Sequence, residues 1–462
     1  MLTRLFRKLF HHPSPESKAP GGKPSAFDTL NQQAPLRQAP SVETSGTNEI
    51  GTAIICREAV LNRQQKIAGY QFMLQEAAHA HIRTQSRSVL HLCTDVLVQN
   101  LARADIGALL GHRLAFIEVP DSFLAQPNLT QLPAANTFFI LRPIASPGAP
   151  TVQDLIAHIR ALRAQGYRIG IPDPVATPEY FHLVGEADLV CLQGPGIDIE
   201  QGMKLVRHLL KMAPHAALLV RDLHGMEDFD FCFKIGATLF QGPFITSREN
   251  WQERNLGPNY ARLTMLLNKL RQDADTHEII ALFKQDAAIT LRLLRYINSA
   301  ANGLREHVSS IERAIALLGR TPLQRWLALM LCASNRDQPR ADAVLEAALV
   351  RARTMELIAA TRPAPEREAM FLTGLLSLID VILQQPMEHA LETLAIDDKI
   401  HDAILNDQGP CATILALAKA CESMNVDRIV AAATACGVDP EQASIWYMDA
   451  LAWTLTLQRE DG

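Results

Sequence analysis

Four polar side chains that could ligate a metal ion or hold a small ligand lie at or near the ends of short β-rich runs. They are Glu118, Asp173, His224 and Gln241. Carboxylate and imidazole groups bind divalent cations, and an amide can orient a polar substrate. Two hard cations placed close together need several carboxylates to offset their repulsion. Whether these four side chains could hold metal ions therefore depends on which elements bring them together.

The elements that would position these side chains are eight β-rich runs with helical patterns between many of them. The runs are Ala53–Cys56, Ile67–Met73, Arg113–Val119, Thr137–Leu141, Arg168–Ile171, Leu189–Leu192, Ala217–Val220 and Thr238–Phe240. Helical stretches such as Val152–Gln165 and Gly202–Met212 separate them. The alternation predicts a closed α/β barrel of the TIM type over residues 51–248, whose chemistry would lie at the carboxyl ends of the strands.

Several motifs in this region resemble the EAL domains, which in active form hydrolyse cyclic di-GMP with two divalent metal ions. The motifs are Gly69-Tyr70-Gln71-Phe72-Met73-Leu74-Gln75, Gly166 to Asp173, Ala187-Asp188 and Leu239-Phe240-Gln241-Gly242-Pro243-Phe244. Their order and spacing over about 200 residues carry the resemblance, since each is weak alone. The resemblance implies a metal site and a nucleotide site at the barrel mouth.

At most positions that the resemblance assigns to the EAL site, this chain has a different residue. Positions that the resemblance assigns to metal, phosphate or water-orienting groups hold Gln71, Gln75, Leu141, Pro172 and Cys191. Glu118 and His224 fall on or near two further positions, and only Asp173 and the Gln241-Gly242 pair match. We therefore expect no catalytic residues, no metal site, no cofactor and no enzymatic activity, because one aspartate cannot hold two cations. Cyclic di-GMP binding is also disfavoured, since Gln75 lacks the charge and fork of an arginine.

After the polar stretch Ser247–Pro258, strand patterns give way to successive amphipathic helices. Asp286 is placed to cap one of these helices, Ser309 with Glu312 reads as a capping box, and Gly319 follows as a helix terminator. The segment resembles the HDOD domain, a helical module related to HD phosphohydrolases but without their metal ligands. The matching residues include Asp286, Asn298, Ser299, Ser310 and Gly319. We interpret Asn298-Ser299 as a helix-end hydrogen-bonding pair, with a ligand contact as the alternative.

An HD enzyme needs an adjacent His-Asp pair together with further histidines. The chain has one such doublet, His401-Asp402, and no second histidine cluster accompanies it. We interpret the doublet as a surface pair on a charged helix. The fold class is therefore multi-domain, with a degenerate EAL barrel at 51–248, a linker at 249–258 and an all-helical HDOD domain with a C-terminal extension at 259–462.

The composition limits which partners and which location are expected for the chain. The 462 residues carry 44 basic and 49 acidic side chains, and the formal net charge of −5 predicts no nucleic-acid partner. Eight scattered cysteines without a Cys-x-x-Cys pattern fit a reducing cytoplasm, and no apolar run is long enough to cross a bilayer. Residues 1–50 read as a flexible tail, whose basic amphipathic start at 1–12 could contact a membrane surface or a partner groove; chance periodicity in a disordered terminus is the alternative.

Two functional hypotheses follow from the whole sequence. The first is a catalytically inactive cytoplasmic signalling adaptor that works through contacts with unidentified signalling proteins in a cyclic di-GMP network. The alternative is a cyclic di-GMP receptor or residual metal-dependent phosphodiesterase that uses Asp173, Glu118, His224 and Gln241.

Overall fold

The structure is a computed structural model. It describes residues 53–76, 87–103, 105–143, 149–194, 199–252, 256–298, 307–335, 340–394, 396–423 and 425–458. The tail at 1–50, its amphipathic start and Ser299 lie outside the described residues. So does the side chain of Gln75, although its backbone belongs to a strand.

The N-terminal part is a closed barrel of eight strands in sequential order. The strands are β1 Ala53–Asn62, β2 Ile67–Glu76, β3 Leu114–Pro120, β4 Thr137–Arg142, β5 Arg168–Ile171, β6 Leu189–Gln193, β7 Ala217–Arg221 and β8 Leu239–Gln241. All eight predicted runs are strands, and the predicted barrel is confirmed. β1 differs from the expected pattern because it runs antiparallel to both β2 and β8, while the pairs from β2 to β8 are parallel.

The barrel interior is filled by apolar side chains at alternate strand positions. Phe116 and Phe138 stack with their ring centroids 5.1 Å apart, and Leu189, Leu219 and Val60 pack in the same buried cluster. A Cβ at Gly170 would come within 2.9 Å of the Ile140 side chain, so glycine makes room there. Because this middle layer is apolar, the polar side chains of the barrel interior lie at the strand ends.

Helices follow the strands and then make up the whole C-terminal part. Around the barrel these are α1 Arg87–Arg103, α2 Ile106–Leu110, α3 Val152–Ala164, α4 Ile199–Met212 and α5 Met226–Ile235. After the barrel come α6 Pro258–Arg271, α7 Thr276–Lys284, α8 Ala287–Ile297, α9 Ile311–Leu318, α10 Arg320–Cys332, α11 Ala341–Ile358, α12 Ala364–Leu376, α13 Ile379–Leu383, α14 Met387–Glu392, α15 Asp398–Leu405, α16 Gly409–Glu422, α17 Val426–Cys436 and α18 Pro440–Gln458. Within the part of the chain that the structure describes, no helix is long and apolar enough to span a membrane.

The barrel and the last helices share one hydrophobic core. Buried residues of α11, α16, α17 and α18, among them Val350, Leu417 and Leu451, belong to the same cluster as the outer faces of the strands. Buried residues of the helices from α6 to α15 form a second cluster, which includes Trp326 and Phe283. The domain boundaries on either side of the linker at 249–258 stay a prediction. Helix α6 begins at Pro258, the last residue of that linker.

Candidate functional site

A polar layer closes the barrel interior at the carboxyl ends of its parallel strands. It arises from the two-residue period of a strand, which places the next interior side chain two residues beyond each apolar one. Phe116 is followed in this way by Glu118, Leu219 by Arg221, and Leu239 by Gln241. We call the polar set of Glu58, Gln71, Glu118, Arg142, Gln193, Arg221 and Gln241 the mouth layer.

Glu118 is the centre of the best-defined contacts in the mouth layer. One of its carboxylate oxygens accepts from Arg221 Nη1 at 2.6 Å and from Gln71 Nε2 at 3.1 Å. Burial of the Arg221 guanidinium opposes its charge, but Glu118 together with Cys191 and Asp222 outweighs that effect, so the pKa of Arg221 is raised. The side chains of both charged residues remain about one-fifth exposed, so a ligand entering the mouth can reach them.

A second pair, Glu58 and Gln241, lies on the neighbouring strands β1 and β8. Gln241 Nε2 donates to Glu58 Oε2 at 2.7 Å, and the Gln241 side chain is buried. Its Oε1 atom is buried without a hydrogen-bond partner. Burial raises the pKa of the Glu58 carboxyl, and the hydrogen bond from Gln241 offsets this only in part. The Glu58 carboxyl therefore takes up a proton at a higher pH than an exposed glutamate does.

Asp173 and His224 occupy the loops above the mouth layer. Asp173 accepts from the backbone N–H of Gln193 at 3.1 Å and of Val175 at 2.9 Å, so both carboxylate oxygens hold the loop. His224 is exposed, and its backbone N–H donates to Asp228 at 2.9 Å. No hydrogen bond or ion pair among the described residues joins Glu118 to either of them, so the structure does not assemble the four polar side chains into one ligand set.

Gly242 has a backbone reason for being glycine. Its φ of 142° lies in the region that favours glycine, and a Cβ there would approach the backbone N and O of Leu223 to 2.4 Å. In the Gln241-Gly242 pair, Gln241 contributes a side chain to the mouth layer. Gly242 lets the loop after β8 approach the loop after β7 closely.

Sequence reasoning missed four members of the mouth layer: Glu58, Arg142, Gln193 and Arg221. Strand alternation could have found them, because each lies two positions beyond an interior apolar residue or, for Glu58, two before one. Cys191 lies one layer below, where burial raises the pKa of its thiol to about 12. Arg142 is exposed at the end of β4 and lines a small cavity of about 60 Å³ with Glu118 and Thr94.

The residues expected to mark the helical domain form local structure there. Asp286 accepts from the N–H groups of Ala288 and Ile289 and caps α8. Asn298 ends that helix by bonding the backbone of Leu294 and Val308. Ser310 caps α9, so the capping box placed at Ser309 is one residue off.

Gly319 follows α9 with a φ of 78°, which agrees with its expected role as a helix terminator. His401 and Asp402 lie partly exposed on α15, with Nδ1 and Oδ1 separated by 3.8 Å. Among the described residues, no group of three or more His, Cys, Asp or Glu side chains is arranged to hold a metal ion.

Comparison with known proteins identifies the helical part. A family model described as the HDOD domain matches residues 256–405. These residues are an HDOD domain. The chain is also similar to the "Cyclic di-GMP phosphodiesterase CdgJ" of Vibrio cholerae, with 23% identity over 92% of this chain and 96% of that protein. It is 22% identical to the uncharacterized protein YuxH of Bacillus subtilis, over 86% of this chain and 97% of that protein.

Solved structures similar to this chain include EAL domain proteins. One is from Listeria monocytogenes, with 14% identity over 42% of this chain and 87% of that chain and a TM-score of 0.34. Another is Bacillus subtilis YkuI with cyclic di-GMP and calcium, with 15% identity over 60% of this chain and 73% of that chain and a TM-score of 0.34. The chain joins an EAL-like barrel to an HDOD domain, as the sequence motifs predicted.

The prediction that the chain is not an enzyme is contradicted by this comparison. A relative that aligns along nearly the whole chain is named as a cyclic di-GMP phosphodiesterase. The expectation that cyclic di-GMP binding is disfavoured conflicts with the same finding. Both expectations rested on individual replaced positions such as Gln75, and they left out Arg142 and Arg221, which supply positive charge to the mouth from other strands.

Proposed function

We propose that the mouth of the barrel binds cyclic di-GMP and that the chain acts as a signalling protein in a cyclic di-GMP network. The observation that carries the proposal is the mouth layer itself, a ring of charged and amide side chains at the end of the barrel where barrel proteins bind their substrates. The name of the Vibrio cholerae relative supports the choice of ligand.

Two arginines of the mouth layer can provide the charge that a phosphodiester needs. Arg142 is exposed, and Arg221 is partly exposed beside Glu118. A guanidinium binds phosphate oxygens through paired N–H donors, which is stronger and more directional than binding by a neutral amide. Glu118 competes for Arg221, so a bound phosphate would have to displace or share that contact.

The amides of the mouth layer suit the rest of such a ligand. Gln71 and Gln241 are buried, and their positions are fixed by hydrogen bonds to Glu118 and Glu58. Fixed side chains lose little freedom on binding, which favours recognition of one ligand orientation. These buried amides hold the two carboxylates in place, and the exposed Gln193 amide is the neutral mouth-layer group that a base or ribose can reach.

Metal-dependent hydrolysis is a second candidate, and the name of the Vibrio cholerae relative favours it. The described residues do not fit a two-metal site, because no cluster of three suitable ligands is present among them and Glu118 is held by a guanidinium and an amide. Titration with and without added metal ions therefore has to separate binding from hydrolysis.

Isothermal titration of the full chain with cyclic di-GMP tests the proposal, with chromatography of the same samples to detect cleaved nucleotide. Each titration is run without metal and with Mg²⁺ or Mn²⁺. We expect saturable binding that Arg221→Gln weakens by about tenfold or more, the order expected for a lost charge-assisted contact. Arg160→Gln, on the exposed face of α3, is the matched control and should bind as the unaltered chain does.

Three outcomes are distinguishable in these titrations. Binding without product supports the receptor role, and metal-dependent product supports the second candidate. Absence of binding under every condition, or binding that Arg221→Gln leaves unchanged, refutes the placement of the ligand at the mouth.

A further inference from the structure

The HDOD domain contains a cleft that is separate from the barrel mouth. It lies between α6 and the segment from Gln385 to Thr393, and its volume is about 590 Å³. Pockets of roughly 300–1,000 Å³ are typical of small-molecule sites in proteins. The cleft is therefore large enough for a ligand of the size of a mononucleotide.

Hydrogen bonds fix the two walls of the cleft to each other. The hydroxyls of Tyr260 and Thr393 are 3.2 Å apart, and Asn268 Nδ2 donates to the Thr393 carbonyl at 2.9 Å. Both contacts join α6 to the end of α14 across more than 120 residues of sequence. Walls joined in this way keep the cleft open in the absence of a ligand, which lowers the entropic cost of binding.

The chemistry of the lining is mostly neutral and hydrogen-bonding. Thr264 and Gln385 are buried polar residues at the cleft, and the Thr264 hydroxyl lies next to that of Tyr260. Amides line it at Asn268, Gln272 and Gln385. An amide offers a donor and an acceptor side by side, which matches the edge of a nucleobase.

The remaining lining suits the other parts of such a ligand. Leu256, Ala261 and Met265 give one apolar wall, and the Met265 side chain is 46% exposed there. A thioether is polarizable and packs well against the face of an aromatic ring. Lys269 and His389 also line the cleft; Lys269 Nζ pairs with Glu278 Oε1 at 2.5 Å, and the described lining residues themselves include no carboxylate.

From this lining we infer that the HDOD cleft is a second binding site, for a ligand that carries a nucleobase, such as a nucleoside or a nucleoside monophosphate. The exposed Gln272 amide reads the base edge, the apolar wall covers the ring, and Lys269, which pairs with Glu278, lies beside the phosphate. This site is independent of cyclic di-GMP binding at the barrel mouth.

Ligand-observed NMR and calorimetry on the full chain test the inference with four probes: guanosine, GMP, AMP and ribose 5-phosphate. We expect at least one base-bearing probe to bind saturably at or below about 1 mM, and ribose 5-phosphate to bind at least about tenfold more weakly. Ala261→Phe fills the cleft from an exposed helix position and should weaken binding by about tenfold or more. Ala281→Phe, at an exposed position of α7 outside the cleft, should leave it unchanged.

Gln272→Leu removes the exposed amide from the cleft, so it should reduce the affinity by about threefold to tenfold. Thermal unfolding of each variant shows whether it remains folded. The inference is overturned if no base-bearing probe binds, if ribose 5-phosphate binds as tightly as GMP, or if Ala261→Phe has no more effect than Ala281→Phe. Binding that Arg221→Gln removes and Ala261→Phe spares belongs to the mouth and also overturns it.

Discussion

The hydroxyl of Tyr70 in strand β2 donates to the buried carboxylate of Glu346 in helix α11, 276 residues further along the chain. Arg113 completes this contact by bonding both groups, with Nη1 at 2.9 Å from Glu346 and 2.5 Å from the Tyr70 hydroxyl. The Arg57 guanidinium stacks 4.7 Å from the centre of the Tyr70 ring and 5.3 Å from that of Tyr447. One carboxylate thus offsets positive charge where the barrel meets the helices.

Replacing Glu346 by leucine should destabilise the protein by about 3–5 kcal/mol, because Arg113 would lose its ion pair in a buried place and Arg57 would keep only the charge of Glu422. Tyr70→Phe should cost only about 1–2 kcal/mol, since the ion pair to Arg113 stays in place. Urea unfolding measures both. Glu312→Leu, which removes an exposed ion pair with Lys284, is the control. Equal losses for Glu346→Leu and Tyr70→Phe would contradict the role given to the charge.

Glu58 predicts a pH dependence of stability. Because burial raises the pKa of this carboxyl above 4.5, the folded state binds the proton more tightly than the unfolded state. The associated stability is present below the unfolded pKa and is lost as the pH rises through the folded pKa. Glu58→Gln should therefore match the unaltered chain near pH 4 and exceed its stability near pH 7.

The gain for Glu58→Gln at neutral pH should be about 1 kcal/mol, because the new amide can also donate to the buried Oε1 of Gln241, which lacks a partner. Unfolding free energies measured between pH 4 and pH 7 check this. Asp230→Asn changes an exposed carboxylate of α5 and serves as the control. A variant that is less stable than the unaltered chain at pH 7 would show that the Glu58 charge is needed.

The strands were predictable from sequence because each contains a β-rich run, although the run predicted for β1 ended at Cys56 and the strand continues to Asn62. The antiparallel direction of β1 was not predicted, because pairing direction depends on partners far away in the chain. β1 pairs with β8, and Val60 lies opposite Gln241. The mouth was predicted only in part for the same reason. Alternation along a strand places Arg221 on the interior face, but its contact with Glu118, and that of Gln241 with Glu58, depends on a register between strands that no single motif specifies.

Interface residues were the least accessible to sequence reasoning. The sequence leaves two roles open for Arg351 and Arg353: contact with an acidic partner or, for one of them, pairing with a neighbouring carboxylate on a solvated face. The contacts of Arg351 differ from both. In the structure it is buried and pairs with Glu422 at 2.6 Å, while Nη1 donates to Ser377 at 2.7 Å. A charged residue in a helix gives no signal of burial when the pairing group lies 71 residues away in another helix.

Glu118→Gln should increase the affinity of the mouth for cyclic di-GMP by about threefold to tenfold, because it removes a negative charge and releases Arg221 to bind phosphate. The increase should shrink at high salt, as screening weakens the contribution of charge. Calorimetry at two salt concentrations measures this. Glu186→Gln, just before β6 at the opposite end of the barrel, is the control. A decrease in affinity would instead show that Glu118 itself contacts the ligand or a metal ion.

Arg325 is buried in the HDOD domain between two carboxylates. Its guanidinium is 2.8 Å from Glu356 and 3.1 Å from Glu368, and it lies 3.4 Å from the centre of the Phe371 ring. Burial acts against the Glu356 charge, but Arg325 and Arg353 together outweigh it and lower the pKa of that carboxyl; burial raises the pKa of Glu368. Arg325 therefore holds two buried glutamates that would repel each other without it.

Arg325→Met should cost about 3–5 kcal/mol at pH 8, where Glu368 would be left charged and without its cation and Glu356 would keep only Arg353. The cost should fall toward pH 5, because a carboxyl without its cation takes up a proton more readily and the folded state then becomes more stable relative to the unfolded state. Arg325→Lys keeps the charge but loses the fork, so its cost should be intermediate. Urea unfolding at the two pH values measures each variant. If the loss for Arg325→Met is the same at pH 5 and pH 8, contact with Phe371 and not charge accounts for the effect.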